Sequence, residues 1–174
     1  HRRLTKPEHR QAMRQMIRAI DESSRSVGQL LDHAMVTFRA DSLSAAEFDL
    51  NEVLAETCDR LAPTAELKDI SIRRSIPKTP FLFRGDRILL QSALGNILDN
   101  AIKYSPEDSV ITVSSGGGEQ YILSIEDQGR GFGDADISTM RQRFSRGSNV
   151  GDIVGSGLGL TIADEVVTSH SGTL

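Results

Sequence analysis

Three short polar motifs occur in a fixed order at points where the chain changes its hydrophobic period. Asn96-Ile97-Leu98-Asp99-Asn100-Ala101-Ile102-Lys103-Tyr104 closes a helical stretch. Asp127-Gln128-Gly129-Arg130-Gly131 follows an alternating, strand-like one. Gly155-Ser156-Gly157-Leu158-Gly159-Leu160 opens a second helical one. Each motif alone is common. The order, with a polar loop between the last two, is what restricts the chain.

The pattern around them supplies the frame. Asp49 with Glu52 forms a possible capping box, and Leu50, Val53, Leu54, Thr57, Cys58 and Leu61 give a helix its core stripe. Ile70 and Ile72 alternate with polar residues as in a strand, and Phe81-Leu82-Phe83 reads as a short strand or edge. Asp86 is placed to cap a long helix running through Tyr104, buried along Leu90, Leu94, Ile97 and Ala101. Val110 to Ser114 and Tyr121 to Glu126 are alternating stretches joined through Gly116-Gly117-Gly118, the pattern of a hairpin. Residues 132–154 are polar and weakly periodic, which predicts a mobile loop. Leu158 to His170 is a final helix with Ile162, Ala163, Val166 and Val167 inward. Strands interspersed with helices predict an α+β fold, a two-layer α/β sandwich of a mixed sheet and a helix layer.

The N-terminal forty residues have a different character. Thr5-Lys6-Pro7-Glu8 has the composition of a helix start. Met13, Ile17, Ile20, Ser24, Val27, Leu31, Ala34 and Phe38 then follow at alternating spacings of four and three, a heptad seam. An isolated helix would leave that seam wet, so it calls for a partner, and an intermolecular bundle is expected ahead of packing onto its own domain. Residues 1–40 carry eight basic and four acidic side chains, whereas the rest carries twelve and twenty. The net charge of −4 argues against a general nucleic-acid binder. A single cysteine, Cys58, excludes an internal disulfide. No apolar run is long enough to span a bilayer as a helix.

The residue types in the motifs suggest specific chemistry. Asn96, Asn100 and Lys103 lie at i, i+4 and i+7 and share one helical stripe. An Asn carbonyl is a neutral hard ligand suited to Mg²⁺, which keeps waters and substrate phosphates in its shell. Lys103 offers a point charge to a phosphate. Asp127, at a strand end, can accept a hydrogen bond from an adenine amino group, and Gly129 and Gly131 allow the backbone to turn tightly beside a flat ring. Gly155, Gly157 and Gly159 precede a helix whose first N–H groups favour phosphate. No Gly-Lys-Ser/Thr follows, so this is not a P-loop, and the spacing fits a dinucleotide fingerprint poorly. The intervening loop holds Arg141, Arg143, Phe144 and Arg146, cations that can neutralise a triphosphate when a lid closes.

In order and detail these motifs resemble the GHKL (Bergerat-type) ATPase/kinase superfamily, and within it the ATP-binding domain of sensor histidine kinases, over about Phe48 to Leu174. The resemblance implies ATP and Mg²⁺ as ligands. It implies Asn100 as the metal ligand, Asn96, Lys103 and Tyr104 at the phosphates or nearby nucleotide, and Asp127 as the residue that selects ATP over GTP. Gly129, Gly131, Gly155, Ser156, Gly157, Leu158 and Gly159 would line the nucleotide. Phe144 matches the lid's single aromatic and Arg146 its phosphate-facing arginine. Asn96, Lys103 and Arg146 would be the catalytic set.

Related hydrolases of the superfamily place Glu where this chain has Asn96. A carboxylate there can activate water, and an amide cannot. The chain is thus expected to hold ATP for donation: the γ-phosphoryl group to a histidine, then to an aspartate of a response-regulator receiver domain. None of His1, His9, His33 and His170 stands in the acceptor setting of the family, so no phosphoacceptor is identified. Residues 1–40 resemble the second helix of the dimerisation and phosphotransfer hairpin of a homodimer, 41–48 a linker, and 49–174 the ATP-binding domain without its closing hairpin. The acceptor helix is then expected upstream of His1, the fragment is expected not to autophosphorylate alone, and the family implies the cytoplasmic portion of a membrane-anchored sensor. Two alternatives stand beside this: a non-transferring ATP-binding scaffold, and a protein-serine kinase of the anti-sigma type, against which the heptad helix speaks.

Overall fold

A computed structural model describes residues 45–118, 120–131 and 158–174, together with Met13, Met16, Ile20 and Gly28. These last four are helical, with Met13, Met16 and Ile20 exposed. The rest of the heptad seam and the loop over 132–154 lie outside the described residues.

The elements run β1 (Ala46–Asp49), α1 (Leu50–Glu66), β2 (Ser71–Ser75), β3 (Leu82–Gly85), α2 (Arg87–Tyr104), β4 (Val110–Gly116), β5 (Ile122–Glu126) and α3 (Gly159–Ser169). β1 and β3 form an antiparallel pair, with Phe48 opposite Phe83. The second sheet has the order β2-β4-β5 and is mixed. β2 pairs with β4 in parallel, Ser71 opposite Val110, and β4 pairs with β5 antiparallel, Thr112 opposite Glu126. A parallel pair needs a crossover, and β3 with α2 supplies it. The two-layer α/β reading is therefore the observed one.

Asp49 begins α1 as expected, although its bonds differ from a capping box. Its Oδ1 accepts from the N–H of Asn51 at 3.0 Å and from the N–H of Phe81 at 2.9 Å, so one carboxylate starts the helix and fastens β3's approach. β1 occupies the end of the stretch that the sequence suggested was linker. Its four residues, Ala-Glu-Phe-Asp, are too short and too polar to announce a strand, and pairing with β3 supplies the order.

Asn51 is buried, with both its amide oxygen and its amide nitrogen bonded. Its Nδ2 donates to the Thr79 carbonyl at 2.9 Å, and its Oδ1 accepts from Ser115 Oγ at 2.9 Å and from the Tyr121 hydroxyl at 2.7 Å. One amide thus ties α1 to β4 and to the start of β5. Burial pushes the Tyr121 hydroxyl above its ordinary pKa, the bond with Ser115 opposes that, and the charge of Asp49 adds to it. Burial likewise raises the Cys58 thiol, so it behaves as a small core hydrophobe.

The core lies between the helices and the sheet. Val53, Leu54, Leu98, Ile111, Val113, Ile162, Ala163 and Val166 are fully buried. On α2, Leu90, Leu94 and Ala101 are buried as expected, but Ile97 is only half-buried, and Leu89, Leu98 and Ile102 are buried as well. The reason is that α2 is flanked by both α1 and α3, so its apolar face is wider than one stripe.

Candidate nucleotide site

The site is built around α2. Asp86, itself buried, starts it by accepting from the N–H groups of Ile88 at 3.0 Å and Leu89 at 3.1 Å. His170, at the end of α3, holds that cap from behind. Its Nε2 accepts from the Asp86 N–H at 2.9 Å, and its Nδ1 lies 2.8 Å from the Val166 carbonyl, which only a protonated Nδ1 can satisfy. The ring is therefore the neutral Nδ1–H tautomer, with both nitrogens in structural use. A Cβ on Gly85 would stand 2.6 Å from His170 Cδ2, so the strand before the cap must be bare for the ring to pack.

The third motif meets the first at the middle of α2. A Cβ placed on Gly159 would lie 3.6 Å from Asn96 Oδ1 and 3.7 Å from Asn100 Nδ2, ordinary contact. The start of α3 thus rests against the two asparagines, and both are half-buried. α3 begins at Leu158 without a side-chain cap. Asn96 Nδ2 is buried and lacks a hydrogen-bond partner among the described residues. An unsatisfied buried amide costs about 1–3 kcal/mol, so it suits a ligand acceptor such as a phosphate oxygen.

The second motif meets the first at the end of α2. A Cβ on Gly129 would stand 2.9 Å from the Tyr104 carbonyl oxygen and 2.6 Å from Asp127 Oδ1, so only glycine allows this approach. The Gly129 N–H donates to Asp127 Oδ1 at 2.7 Å, which turns the chain sharply at an exposed carboxylate. Gly131 takes the left-handed conformation at φ 61°. Gln128 Oε1 accepts from the Val110 N–H at 3.0 Å, fastening the turn to the start of β4. The Lys103 ammonium lies 5.3 Å from the centre of the Tyr104 ring, a cation–π contact.

Asn96, Asn100, Lys103, Tyr104, Asp127, Gly129, Gly131, Leu158 and Gly159 therefore converge on the C-terminal half of α2 and its flanks. Phe144, Arg146, Gly155, Ser156 and Gly157 lie outside the described residues, as do Arg141 and Arg143. The residues present fit a magnesium–nucleotide group: a neutral amide oxygen donor, an amide with spare hydrogen-bonding capacity, an ammonium, and a carboxylate beside a bare backbone turn. Sequence reasoning missed Lys68 and Gln128, which touch this region from α1's end and from within the second motif. Neither carries a periodic or compositional signal.

Comparison with known proteins gives the family. The family described as histidine kinase-, DNA gyrase B-, and HSP90-like ATPase matches residues 85–174. The sensor-like histidine kinase SenX3 of Mycobacterium tuberculosis is 33% identical over 131 residues, covering 74% of this chain and 32% of that protein. Sensor protein QseC of Salmonella typhimurium is 29% identical over 163 residues, covering 94% of this chain and 35% of that protein. Among solved structures, the mycobacterial sensor histidine kinase MprB superposes with a TM-score of 0.61 at 30% identity, over 73% of this chain and 80% of that one. The chain spans about a third of the length of these curated relatives. The match takes in all of α2, the Asp127 turn and α3, and the chain belongs to the histidine kinase-, DNA gyrase B- and HSP90-like ATPase family, with sensor histidine kinases among its relatives.

Proposed function

We propose that this chain is the ATP-binding catalytic portion of a sensor histidine kinase, which donates the γ-phosphoryl group of ATP to a histidine on another segment for relay to a response-regulator aspartate. The observation that carries this reading is the convergence on α2: Gly159 against Asn96 and Asn100, and Gly129 against the Tyr104 carbonyl. In this reading Asp127 accepts from the adenine amine, and the bare turn through Gly129 and Gly131 lies along the ring. Asn100 offers its amide oxygen to Mg²⁺, which supplies charge neutralisation to the phosphates when bound. Lys103 and Asn96 donate to phosphate oxygens. Arg146 and Phe144 of the loop complete the set, with Gly155, Ser156 and Gly157 at the phosphates.

An amide at position 96 takes no proton from water, so the site favours holding ATP intact until an imidazole nucleophile is presented. His170 is not that nucleophile, since both ring nitrogens are engaged in the fold. The acceptor is assigned to an upstream segment, and residues 1–40 to part of the bundle that pairs two copies. Residues 49–174 are then the nucleotide domain, and a membrane-anchored sensor with this part in the cytoplasm is the setting.

Titration with a fluorescent ATP analogue in the presence of Mg²⁺ tests the core of the reading. Saturable binding is expected, with Asp127→Asn weakening it sharply. Unchanged affinity in Asp127→Asn would sink it. Incubation of the 174-residue chain with labelled ATP is expected to leave no acid-labile phosphate on the protein, whereas a longer chain carrying the acceptor helix would retain it.

A further inference from the structure

The end of α2 is held by a side chain from outside all three motifs. Lys68 Nζ lies 2.8 Å from the Ile102 carbonyl, 3.2 Å from that of Lys103 and 2.9 Å from that of Ser105. An ammonium has three donors and here meets three acceptors. The carbonyl between them in sequence, that of Tyr104, is the one on which Gly129 rests. Lys68 therefore fixes the backbone on either side of the contact that joins the first motif to the second.

Two further features place it there. α1 ends just before it, and the chain reverses through Asp69 in the left-handed conformation at φ 55°, with the Ile70 N–H returning to the Ala65 carbonyl at 3.0 Å. That reversal, followed by β2 paired with β4, leaves position 68 facing α2's last turn. The last turn of a helix also carries the negative end of its dipole. A cation there offsets that charge on the helix end that presents Lys103 and Tyr104, and so favours an anionic ligand alongside.

We infer that Lys68 is a positioning residue for nucleotide recognition: it sets the spacing between the Asp127 turn and the Lys103–Tyr104 end of α2. This rests on the nucleotide reading above. Its consequence is specific. Loss of the ammonium should weaken ATP and also blunt discrimination by Asp127, because the turn and the helix end would no longer hold one fixed relation.

The test measures affinity of the 174-residue chain for fluorescent ATP and GTP analogues with Mg²⁺, at a temperature well below each variant's unfolding midpoint. Lys68→Met is expected to weaken the ATP analogue roughly tenfold, the scale of losing a charge-assisted contact, and to narrow the ATP-over-GTP ratio. Lys68→Arg should restore most of both. Lys78→Met, an exposed lysine outside the site, should change neither. A merely structural role would lower the midpoint and leave affinity and selectivity of the folded protein unmoved, which would overturn the inference. If Lys68→Met fails to fold, Lys68→Gln, which keeps two donors without charge, takes its place, with a smaller loss expected and wild-type values overturning the proposal. If the unaltered chain binds neither analogue, the nucleotide reading itself fails and this inference falls with it.

Discussion

His170, at the end of α3, and Asp86, just before α2, are joined by a ring nitrogen that accepts the Asp86 backbone N–H at 2.9 Å. The same N–H belongs to the residue whose carboxylate caps α2, so the end of α3 supports the start of α2. His170→Ala removes that acceptor and the bond to Val166 and leaves the Asp86 N–H unsatisfied. The expected loss is about 1–3 kcal/mol of stability, read as a lower urea midpoint at neutral pH. Since the ring plays no part in the proposed chemistry, affinity for an ATP analogue well below the unfolding transition should be close to unchanged.

Gly129→Ala places a methyl group 2.9 Å from the Tyr104 carbonyl and 2.6 Å from Asp127 Oδ1. Overpacking against backbone costs about 1–3 kcal/mol when the neighbours cannot move aside. The turn is expected to shift away from α2, so nucleotide affinity and the thermal midpoint should both fall. Gly118→Ala is the comparison, because nothing lies within 4 Å of a Cβ there. Equal behaviour of the two variants would refute the close approach as the cause.

Leu98 is fully buried on α2, on the opposite side of the helix turn from Asn96 and Asn100. Leu98→Ala is expected to cost about 2–5 kcal/mol through lost burial and the remaining cavity. Calorimetry should show the drop, and nucleotide added in excess should recover part of it, because a ligand that binds only the folded state shifts the equilibrium toward it.

Alkaline pH should unfold the domain by a route that includes Tyr121. Its pKa is raised in the folded protein, chiefly by burial. The folded state therefore binds the proton more tightly than the unfolded chain. The associated stability is complete below the ordinary tyrosine value of about 10 and is lost as pH rises through the higher folded value. Cys58 acts in the same direction from the ordinary thiol value of about 8.5 upward. Urea midpoints measured from pH 8 to 11 should decline. Tyr121→Phe should start lower, because Asn51 loses a donor, and decline less steeply.

What the chain disclosed in advance was local. Asp86 stands where an N-cap should, and α2 runs from Arg87 to Tyr104 as its pattern implied. The glycine run between β4 and β5 marked a hairpin, and Gly117 takes φ 137°, where an added Cβ would strike the Gln120 carbonyl. The three motifs were visible because each combines glycine or amide residues with an element boundary. What stayed hidden depends on distant partners. Lys68 reads as one more basic residue in a turn, and its three acceptors lie 34 to 37 positions away. For His170 the sequence says only that it is no acceptor, and its structural role appears when the Asp86 backbone, 84 positions earlier, is brought beside it. Nothing local in the asparagine stripe says that Gly159 will rest against it.

The parallel pairing of β2 with β4 carries a kinetic corollary. Ser71 faces Val110, so the registration of these strands closes a long loop, and α2 lies within it. Contacts so far apart in sequence form slowly compared with a helix or a hairpin. The β4–β5 hairpin and a nascent α2 can arise early by themselves, yet the Asp127 turn acquires its place beside Tyr104 only when the loop has closed. Competence to recognise a ligand should consequently be gained in the last cooperative step of folding, and a stopped-flow refolding trace followed by a bound fluorescent nucleotide should lag the recovery of helical signal.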